Sequence, residues 1–569
     1  MSATPEVSAV PHPPSQATNE RRHVKPPAGE GFVWLTAMGL GVGIIMILGL
    51  LALILFKGVQ TFWPRDIHVV HVAEESPFTL GGRTTFAGSI ADERYKRLAS
   101  PEGEEQAREY QFFVGNRDTF GLSFFYVDED AIVSWEQPQE LMQAERLSWG
   151  DAIFYPVSIT KADGSVIGVE ETGFPTTLRH IMKDAHERRE QIREINRNEI
   201  GPISHEIVET ERRIRLLKEE GATAEDPRIQ SLQTGIAKLQ AESRHLQEKV
   251  TQLRARNEVE QFTTRLVSGE EKTEPVSNFV KIWQPNEMGF FAKLGWFFGD
   301  FWSFISEEPR EANTEGGIFP TIFGTVVLVM MMSAAVMPFG VIAAIYLREY
   351  ATQGPFVQMV RISINNLAGV PSIVYGVFGL GFFVYFLGGT IDELFFPNHE
   401  SAVFKSGGVL WAALTLALMT VPVVVVATEE AFAAVPAGLR EASLACGASK
   451  WQTIQRVVLP AAAPGMLTGL ILAIARGAGE VAPLMLVGVV KLAPSLPLDG
   501  QAPFVHFERK FMHLGFHIFD LGFQSPDSEA AKPMVFATTF LLIMLVVVLN
   551  LGAILIRERL RKKYAYGSF

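Results

Sequence analysis

Arg476 and Glu480 stand four residues apart inside the otherwise apolar run 464–490. Read as one helix, that spacing puts guanidinium and carboxylate on the same face, where they can pair. At 1.5 Å per residue, Arg476 lies roughly 18 Å beyond Pro464, around the middle of a bilayer. A charge there costs about 2.5–3.5 kcal/mol even on lenient insertion scales, so it must face a bundle interior or an aqueous path. A guanidinium stays charged and offers a planar fork of donors suited to an oxyanion's oxygens. Glu480 would hold Arg476 until a passing anion competes for it. The alternative is a static ion pair that locks helix packing, and the residues alone leave both readings open.

A second constellation lies between apolar runs 409–427 and 464–490. It comprises Glu441, Ala442 and Ser443, then Gly447, then Val457, Leu459 and Pro460. Gly447 allows a tight turn between two short helices, and Pro460 suits the restart of the next helix. The loop is short and charged, with Arg440, Lys450 and Arg456 as its basic residues.

Six windows are long and apolar enough to span a bilayer: 32–56, 320–347, 367–388, 408–427, 464–490 and 533–556. The first is too long for a secretory h-region, and Gly58 to Pro64 offers no small-x-small cleavage site, so a retained signal anchor is expected. Arg21, Arg22 and Lys25 before it, and Arg557, Arg559, Arg561, Lys562 and Lys563 after the last, predict both termini in the cytoplasm. The charged loop at 428–463 then lies inside with its Arg440, Lys450 and Arg456, as do Arg348 and Arg361, while Asp392, Glu393 and Glu400 lie outside. Pro, Ser and Thr dominate the first twenty residues, which predicts a disordered tail over 1–31. Apolar residues make up 48% and charged residues 20%, a mixture of membrane and soluble parts. The net charge of −12 argues against nucleic acid as a partner. A single cysteine, Cys446, excludes an intramolecular disulfide framework and any C-x-x-C site.

Residues 64–285 carry much of the charge and are expected outside the membrane. Their first part, 64–177, is read as mixed α/β, with strand-like runs at 120–127, 131–135 and 152–159 and a turn at Asp163-Gly164. The second, 178–261, carries two heptad stripes. One runs through Ile200, Ile203, Ile207, Ile214 and Leu217, the other through Ile229, Leu232, Ile236, Leu239, Leu246, Val250 and Leu253. They predict an antiparallel coiled-coil hairpin, either self-satisfied or a rod that touches another protein. Next, 286–319 opens with Phe290, Phe291, Trp296, Phe297, Phe298, Phe301, Trp302 and Phe304, which reads as an interfacial amphipathic helix resting on membrane lipid.

The loop 428–463 resembles the EAA loop of ABC importer permeases, patterned E-A-A, three residues, G, nine residues, I-x-L-P. Every anchor falls at that spacing, with Ser443 at the third anchor and Val457 in place of the isoleucine. Further motifs narrow the likeness: Asn313-Thr314-Glu315-Gly316-Gly317-Ile318-Phe319-Pro320, Asn366-Leu367-Ala368-Gly369-Val370-Pro371-Ser372-Ile373-Val374-Tyr375-Gly376, Ala427-Thr428-Glu429-Glu430-Ala431 and Gly479-Glu480-Val481-Ala482-Pro483-Leu484. Together they resemble the A-type permease of the phosphate-specific (Pst) ABC importers, in an extended form with a large periplasmic insertion. The resemblance covers most of 286–563 and leaves 64–285 unassigned. It implies an α-helical polytopic protein of the bacterial inner (cytoplasmic) membrane, with a type I importer permease fold over 320–563. It also implies a C-type sister permease, a cytoplasmic ABC ATPase dimer that holds ATP-Mg, and a periplasmic phosphate-binding protein. Glu441, Ala442, Gly447, Leu459 and Pro460 would then serve ATPase coupling, and Arg476 and Glu480 the phosphate path.

The chain has no G-x-x-x-x-G-K-[ST] and no H-E-x-x-H, so it is expected to be no enzyme and to bind no cofactor or metal itself. Two other functions stay open. One is a permease for another oxyanion, such as sulfate, molybdate or phosphonate. The other is an envelope scaffold or sensor that works through the coiled hairpin.

Overall fold

A computed structural model describes residues 30–74, 78–80, 82–100, 103–310, 313–397, 402–500, 504–525 and 528–564. The tail expected over 1–31 lies outside the described residues up to position 29, as do Arg21, Arg22, Lys25 and Glu400. Helix α1 spans Glu30–Gln60. Among the described residues, it supplies the first of six helices long and apolar enough to cross a membrane. The other five are Phe319–Tyr350, Ser372–Phe395, Val409–Ala434, Lys450–Ala478 and Ser528–Lys563. The fifth differs from its expected window: it starts earlier and stops at Ala478 instead of running on toward Val490. A hydropathy window does not see Gly477, Gly479 and Pro483, which break the helix inside an apolar run.

Residues 67–168 and 261–283 build two antiparallel sheets. The first has the order β4-β3-β2-β1-β5, from β1 (Ile67–Val72), β2 (Thr85–Ser100), β3 (Gly103–Phe113), β4 (Phe124–Asp128) and β5 (Ile132–Glu136). A one-turn helix α2 (Arg117–Phe120) precedes β4. The second sheet has β6 (Met142–Arg146), β7 (Ala152–Thr160), β8 (Val166–Gly168), β9 (Gln261–Arg265), β10 (Glu271–Pro275) and β11 (Phe279–Trp283). Its path is β10-β9-β7-β6-β11, with β8 on β7. Ile67, Val69, Ala87, Leu141 and Ile153 form a buried cluster drawn from both sheets. The sheet region therefore does not end at 177, because β9 to β11 return to it after the helices.

Those helices are α3 (Phe174–Glu194), a π-helical turn Ile195–Ile200, α4 (Gly201–Glu219) and α5 (Pro227–Asn257). Gly221 turns the chain at φ +92°. Asp226 then caps α5 by accepting from Arg228 N, with Pro227 in its first turn. Every residue of the two heptad stripes is buried or half-buried, and Leu246 and Val250 form a buried cluster with Ile195. Phe174, Leu178 and Ile181 anchor α3 on the second sheet.

Helix α6 (Phe290–Ser306) presents three faces. Phe297, Phe301 and Phe304 pack with Phe62, Leu514 and Leu541. Trp296, Asp300, Ser303 and Glu307 line a cavity. Phe291, Phe298 and Trp302 are exposed, Phe291 to 84%. A short ribbon, β12 (Pro309–Arg310) with β13 (Glu315–Gly316), leads into α7 (Phe319–Ile345).

The remaining helices are α8 (Pro355–Leu367), α9 (Ser372–Phe378), α10 (Gly389–Phe395), α11 (Val409–Ala434), α12 (Ala437–Ala445), α13 (Lys450–Thr453), α14 (Leu459–Ala478), α15 (Leu484–Val487), α16 (Leu514–Phe523) and α17 (Ser528–Tyr564). Helix α11 is the core element, with Trp411, Ala412, Leu416, Met419 and Val424 buried against Leu328, Met332, Ala473 and Leu484. Small residues set how closely helices approach in a bilayer, where no hydrophobic force drives them together. A Cβ on Gly465 would lie 2.5 Å from Ala431 Cβ, and one on Gly469 2.7 Å from Ala427 Cβ. Gly469→Leu is therefore expected to separate α14 from α11 and cost about 1–3 kcal/mol or more. A drop of at least 5 °C in the unfolding midpoint of the purified protein in detergent would show this, and an unchanged midpoint would refute it.

Candidate functional site

Helix α14 connects the two constellations singled out in the sequence. Leu459 and Pro460 form its first turn and Arg476 belongs to its last, roughly 26 Å away at 1.5 Å per residue. Arg476 is therefore not mid-helix, and Glu480 is not on the same helical face, because Glu480 lies beyond the C-cap at Gly479. The pair still meets, with Arg476 Nε 3.8 Å from Glu480 Oε1 and the side chains 34% and 21% exposed. This contact is loose beside the 2.7–2.9 Å of a tight charge-assisted bond. A cation in the last turn also faces the negative end of the helix dipole, which favours its charge.

The break after Ala478 is shaped by a distant motif. A Cβ on Gly376 would lie 2.7 Å from Pro483 Cα and 3.1 Å from Leu486 Cδ1, so the glycine admits the broken segment. Gly477 meets Met332 of α7 in the same way, its Cβ position 2.4 Å from Met332 Sδ. Tyr375, next to Gly376, donates its hydroxyl to Leu367 O at 2.6 Å and is electrostatically coupled to Arg476. The stretches 366–376 and 479–484, separate in sequence, thus build one wall beside Arg476. Non-helical backbone is tolerated at membrane depth only where protein covers it or water lines it.

At the other end of α14, Glu441 and Ala442 lie exposed on α12. Gly447 turns the chain at φ +83°, with its N–H on Leu444 O at 2.9 Å. Nothing lies within 4 Å of the position a Cβ would take there, so a substitution meets only the left-handed strain of about 1–2 kcal/mol. Ser449 and Gln452 close a capping box on α13. Ser443 and Thr453 hydroxyls bridge α12 to α13 at 2.9 Å. Two large apolar side chains face outward here, Leu444 at 49% and Trp451 at 53% exposure. An apolar patch with exposed carboxylate and basic groups around it is a ready protein-docking surface.

Two ion pairs tie this loop to the helices, and sequence reasoning did not find either pairing. Arg440 on α12 reaches Glu349 at 3.1 Å and donates to Phe432 O and Val435 O at 2.7 Å. Arg361 on α8 reaches Glu429 on α11 at 3.1 Å. Glu429 belongs to a motif already noted, but its partner lies 68 residues away, beyond any local spacing rule.

A third polar group was missed altogether. His513 and His517, on and before α16, are buried with Asp520, which Lys491 approaches at 2.8 Å. His513 Nδ1 caps α16 by accepting from Gly515 N. Burial holds both imidazoles down to about 4. An unfolded chain takes up those protons near pH 6.5, the folded one only near pH 4. Stability from these groups is therefore present above pH 6.5 and lost as pH falls from about 6.5 to about 4. The double variant His513→Gln/His517→Gln is expected to lose less of its unfolding midpoint between pH 7.5 and pH 5 than the parent chain. Equal losses in both would refute the assignment.

Residues 336–565 match the family model described as "Binding-protein-dependent transport system inner membrane component". The "Phosphate transport system permease protein PstA" of Mycobacterium leprae is 37% identical over 201 residues, 35% of this chain and 60% of that protein. The "Probable ABC transporter permease protein YqgI" of Bacillus subtilis is 31% identical over 257 residues, 44% of this chain and 81% of that one. The chain thus spans 60% of the length of the mycobacterial relative. Among solved structures, an inward-facing methionine ABC transporter aligns at 20% identity and a TM-score of 0.31, over 43% of this chain and 94% of that chain.

Proposed function

The chain belongs to the family of inner-membrane permeases of binding-protein-dependent ABC transporters, and on that premise we propose that it is a permease subunit of an ATP-driven importer of inorganic phosphate. The observation that carries the mechanism is the reach of α14, from the exposed loop at Glu441–Pro460 to Arg476 at its far end. A displacement imposed on the loop by an ATPase is delivered along one rigid helix to the cation that meets the anion. Phosphate is the substrate favoured by the 37% identity to a phosphate transport permease and by the motifs at 366–376 and 479–484. An oxyanion carries its charge on several oxygens, which a guanidinium fork engages in pairs.

In this reading Leu444 and Trp451 enter a groove on a cytoplasmic ABC ATPase dimer, which binds ATP-Mg and does the hydrolysis. Glu441, Ala442 and Gly447 shape that docking loop, and Leu459 and Pro460 set where α14 begins. A sister permease completes the path, and a phosphate-binding protein delivers substrate from the periplasm. Both termini lie in the cytoplasm, so residues 64–285 project into the periplasm and the aromatic face of α6 rests in the outer membrane–water boundary.

The test is radiolabelled phosphate and sulfate uptake in cells lacking the chain, complemented with wild type or Leu444→Asp at matched membrane levels. Wild type should restore phosphate uptake alone, and the variant should fall at least tenfold below it. Restored sulfate uptake would reassign the substrate. Full activity of the variant would remove the docking role of the loop.

A further inference from the structure

Residues 57–65, the two sheets, α6 and the start of α17 enclose a cavity of about 520 Å³ that the transport reading leaves without a role. Its rim is formed by the last turn of α1 and the first turn of α17, which carry the exposed Lys57 and Lys532. Both turns end helices long enough to cross a membrane. Arg65 stands just inside, its Nη1 donating to Ile90 O and Ala91 O at 3.3 Å. Among the described residues no carboxylate is in ion-pair contact with it. The rim carboxylates are already engaged: Asp92 lies 3.9 Å from Lys57, and Glu529 accepts from Gln111 at 2.8 Å and from Lys532.

The inner wall has the opposite character. Glu145 and Asp300 share Lys281, at 3.7 and 2.7 Å, and Glu145 also takes Arg310. Asp151 makes no ion-pair contact among the described residues: the Gln143 amide donates to it at 2.7 Å, and the buried Arg146, committed to Asp118 and Glu274, acts on it only through space. Burial and the neighbouring Glu145 push its carboxyl up to about 7. Trp283 and Trp296, with ring centroids 4.8 Å apart, line the same cavity. Indole faces attract cations through their quadrupole. Asp92 and Glu529 balance the two rim lysines, so Arg65 leaves the rim with one net positive charge, and with the acidic, aromatic interior this matches a zwitterion whose anion sits outermost.

We propose that this cavity takes the headgroup of a membrane phospholipid bearing a primary ammonium, with its phosphodiester at Lys57, Arg65 and Lys532 and its ammonium at Asp151 and the tryptophan pair. A primary ammonium has three N–H donors for carboxylate acceptors, which a quaternary ammonium lacks. An anionic headgroup without an amine leaves Asp151 unmatched, and the inner carboxylates repel a free phosphate. The position of the rim at two membrane helix ends favours a lipid over a soluble amine. The site would fasten the inserted domain to the bilayer surface. It does not depend on which anion the permease carries.

The test is native mass spectrometry of the full chain in its complex, released from nanodiscs of three compositions: phosphatidylethanolamine, phosphatidylcholine or neither, each with phosphatidylglycerol. One phosphatidylethanolamine should stay bound, at least tenfold over phosphatidylcholine. Asp151→Asn and the exposed pair Lys57→Ala/Lys532→Ala should each lower retention at least tenfold, while Asp130→Asn, on the exposed surface, should not. Equal retention of choline lipid, preference for phosphatidylglycerol, or full retention by both cavity variants would overturn the assignment. Soluble phosphoethanolamine retained where no lipid is would assign the cavity to a free zwitterion and overturn the lipid source.

Discussion

Phosphate uptake is expected to fall at least thirtyfold in Arg476→Ala, with the chain still present in the membrane and the complex still assembled. Hydrogen bonds to a charged group contribute about 1.5–3 kcal/mol each. A tenfold change corresponds to about 1.4 kcal/mol, so losing one or two such bonds accounts for the drop. The 3.8 Å contact with Glu480 leaves most of the guanidinium fork uncommitted and a third of the side chain exposed. Arg476→Lys keeps the charge but loses the planar fork, and should fall between the two. The competing reading is a structural lock. It predicts that Arg476→Ala lowers membrane abundance and that Arg476→Ala/Glu480→Ala restores both abundance and uptake, since removing both charges leaves none unpaired. Initial-rate uptake of labelled phosphate, normalised to membrane-embedded protein, separates these outcomes. Normal uptake in the single variant would remove Arg476 from the path.

Which parts of this site the sequence disclosed follows from the range of each signal. Hydropathy placed six spanning helices, because a bilayer sets their length directly. The heptad stripes from Ile200 to Leu253 marked positions that are buried or half-buried, because the 3.5-residue period is local. Hydropathy failed at α14, where Gly479 and Pro483 end the helix inside an apolar run. Those residue types were visible, yet glycine and proline are common within membrane helices, so their presence alone did not mark a break. The return of β9 to β11 to the sheet after the helices that span 174–257 was also beyond local pattern, since β10 is short and charged. Gly465 and Gly469 also carry a legible small-xxx-small spacing, which hydropathy does not register. No spacing rule could have supplied Arg440 with Glu349, or Arg361 with Glu429, because folding alone brings those charges together.

Removing one of those pairs should uncouple the machine. Arg440→Ala is expected to leave ATP hydrolysis by the reconstituted complex within twofold of wild type while uptake per ATP falls at least tenfold. Arg440 is the only described side chain that joins α12 at once to the Phe432 and Val435 carbonyls ending α11 and to Glu349 at the end of α7's span. Without it Glu349, whose side chain is only 12% exposed, is left with no ion-pair partner among the described residues, and α12 can shift without moving α11. Each bond to a charged partner contributes about 1.5–3 kcal/mol, and partial exposure lowers the net. What remains is still enough to let a short, exposed helix move alone. The proposed docking patch at Leu444 and Trp451 lies on α12 and α13, so the ATPase of the proposed complex should still find its partner. Its stroke no longer reaches the transmembrane helices. Glu349→Gln, which spares both carbonyl bonds, should give a smaller loss in the same direction. Lys at 440 satisfies fewer of the three acceptors at once and should do likewise. ATP consumption and labelled phosphate uptake measured on the same proteoliposomes decide the matter. A parallel fall in both would mean that Arg440 holds the ATPase interface itself, and an unchanged ratio would mean that force passes by another route.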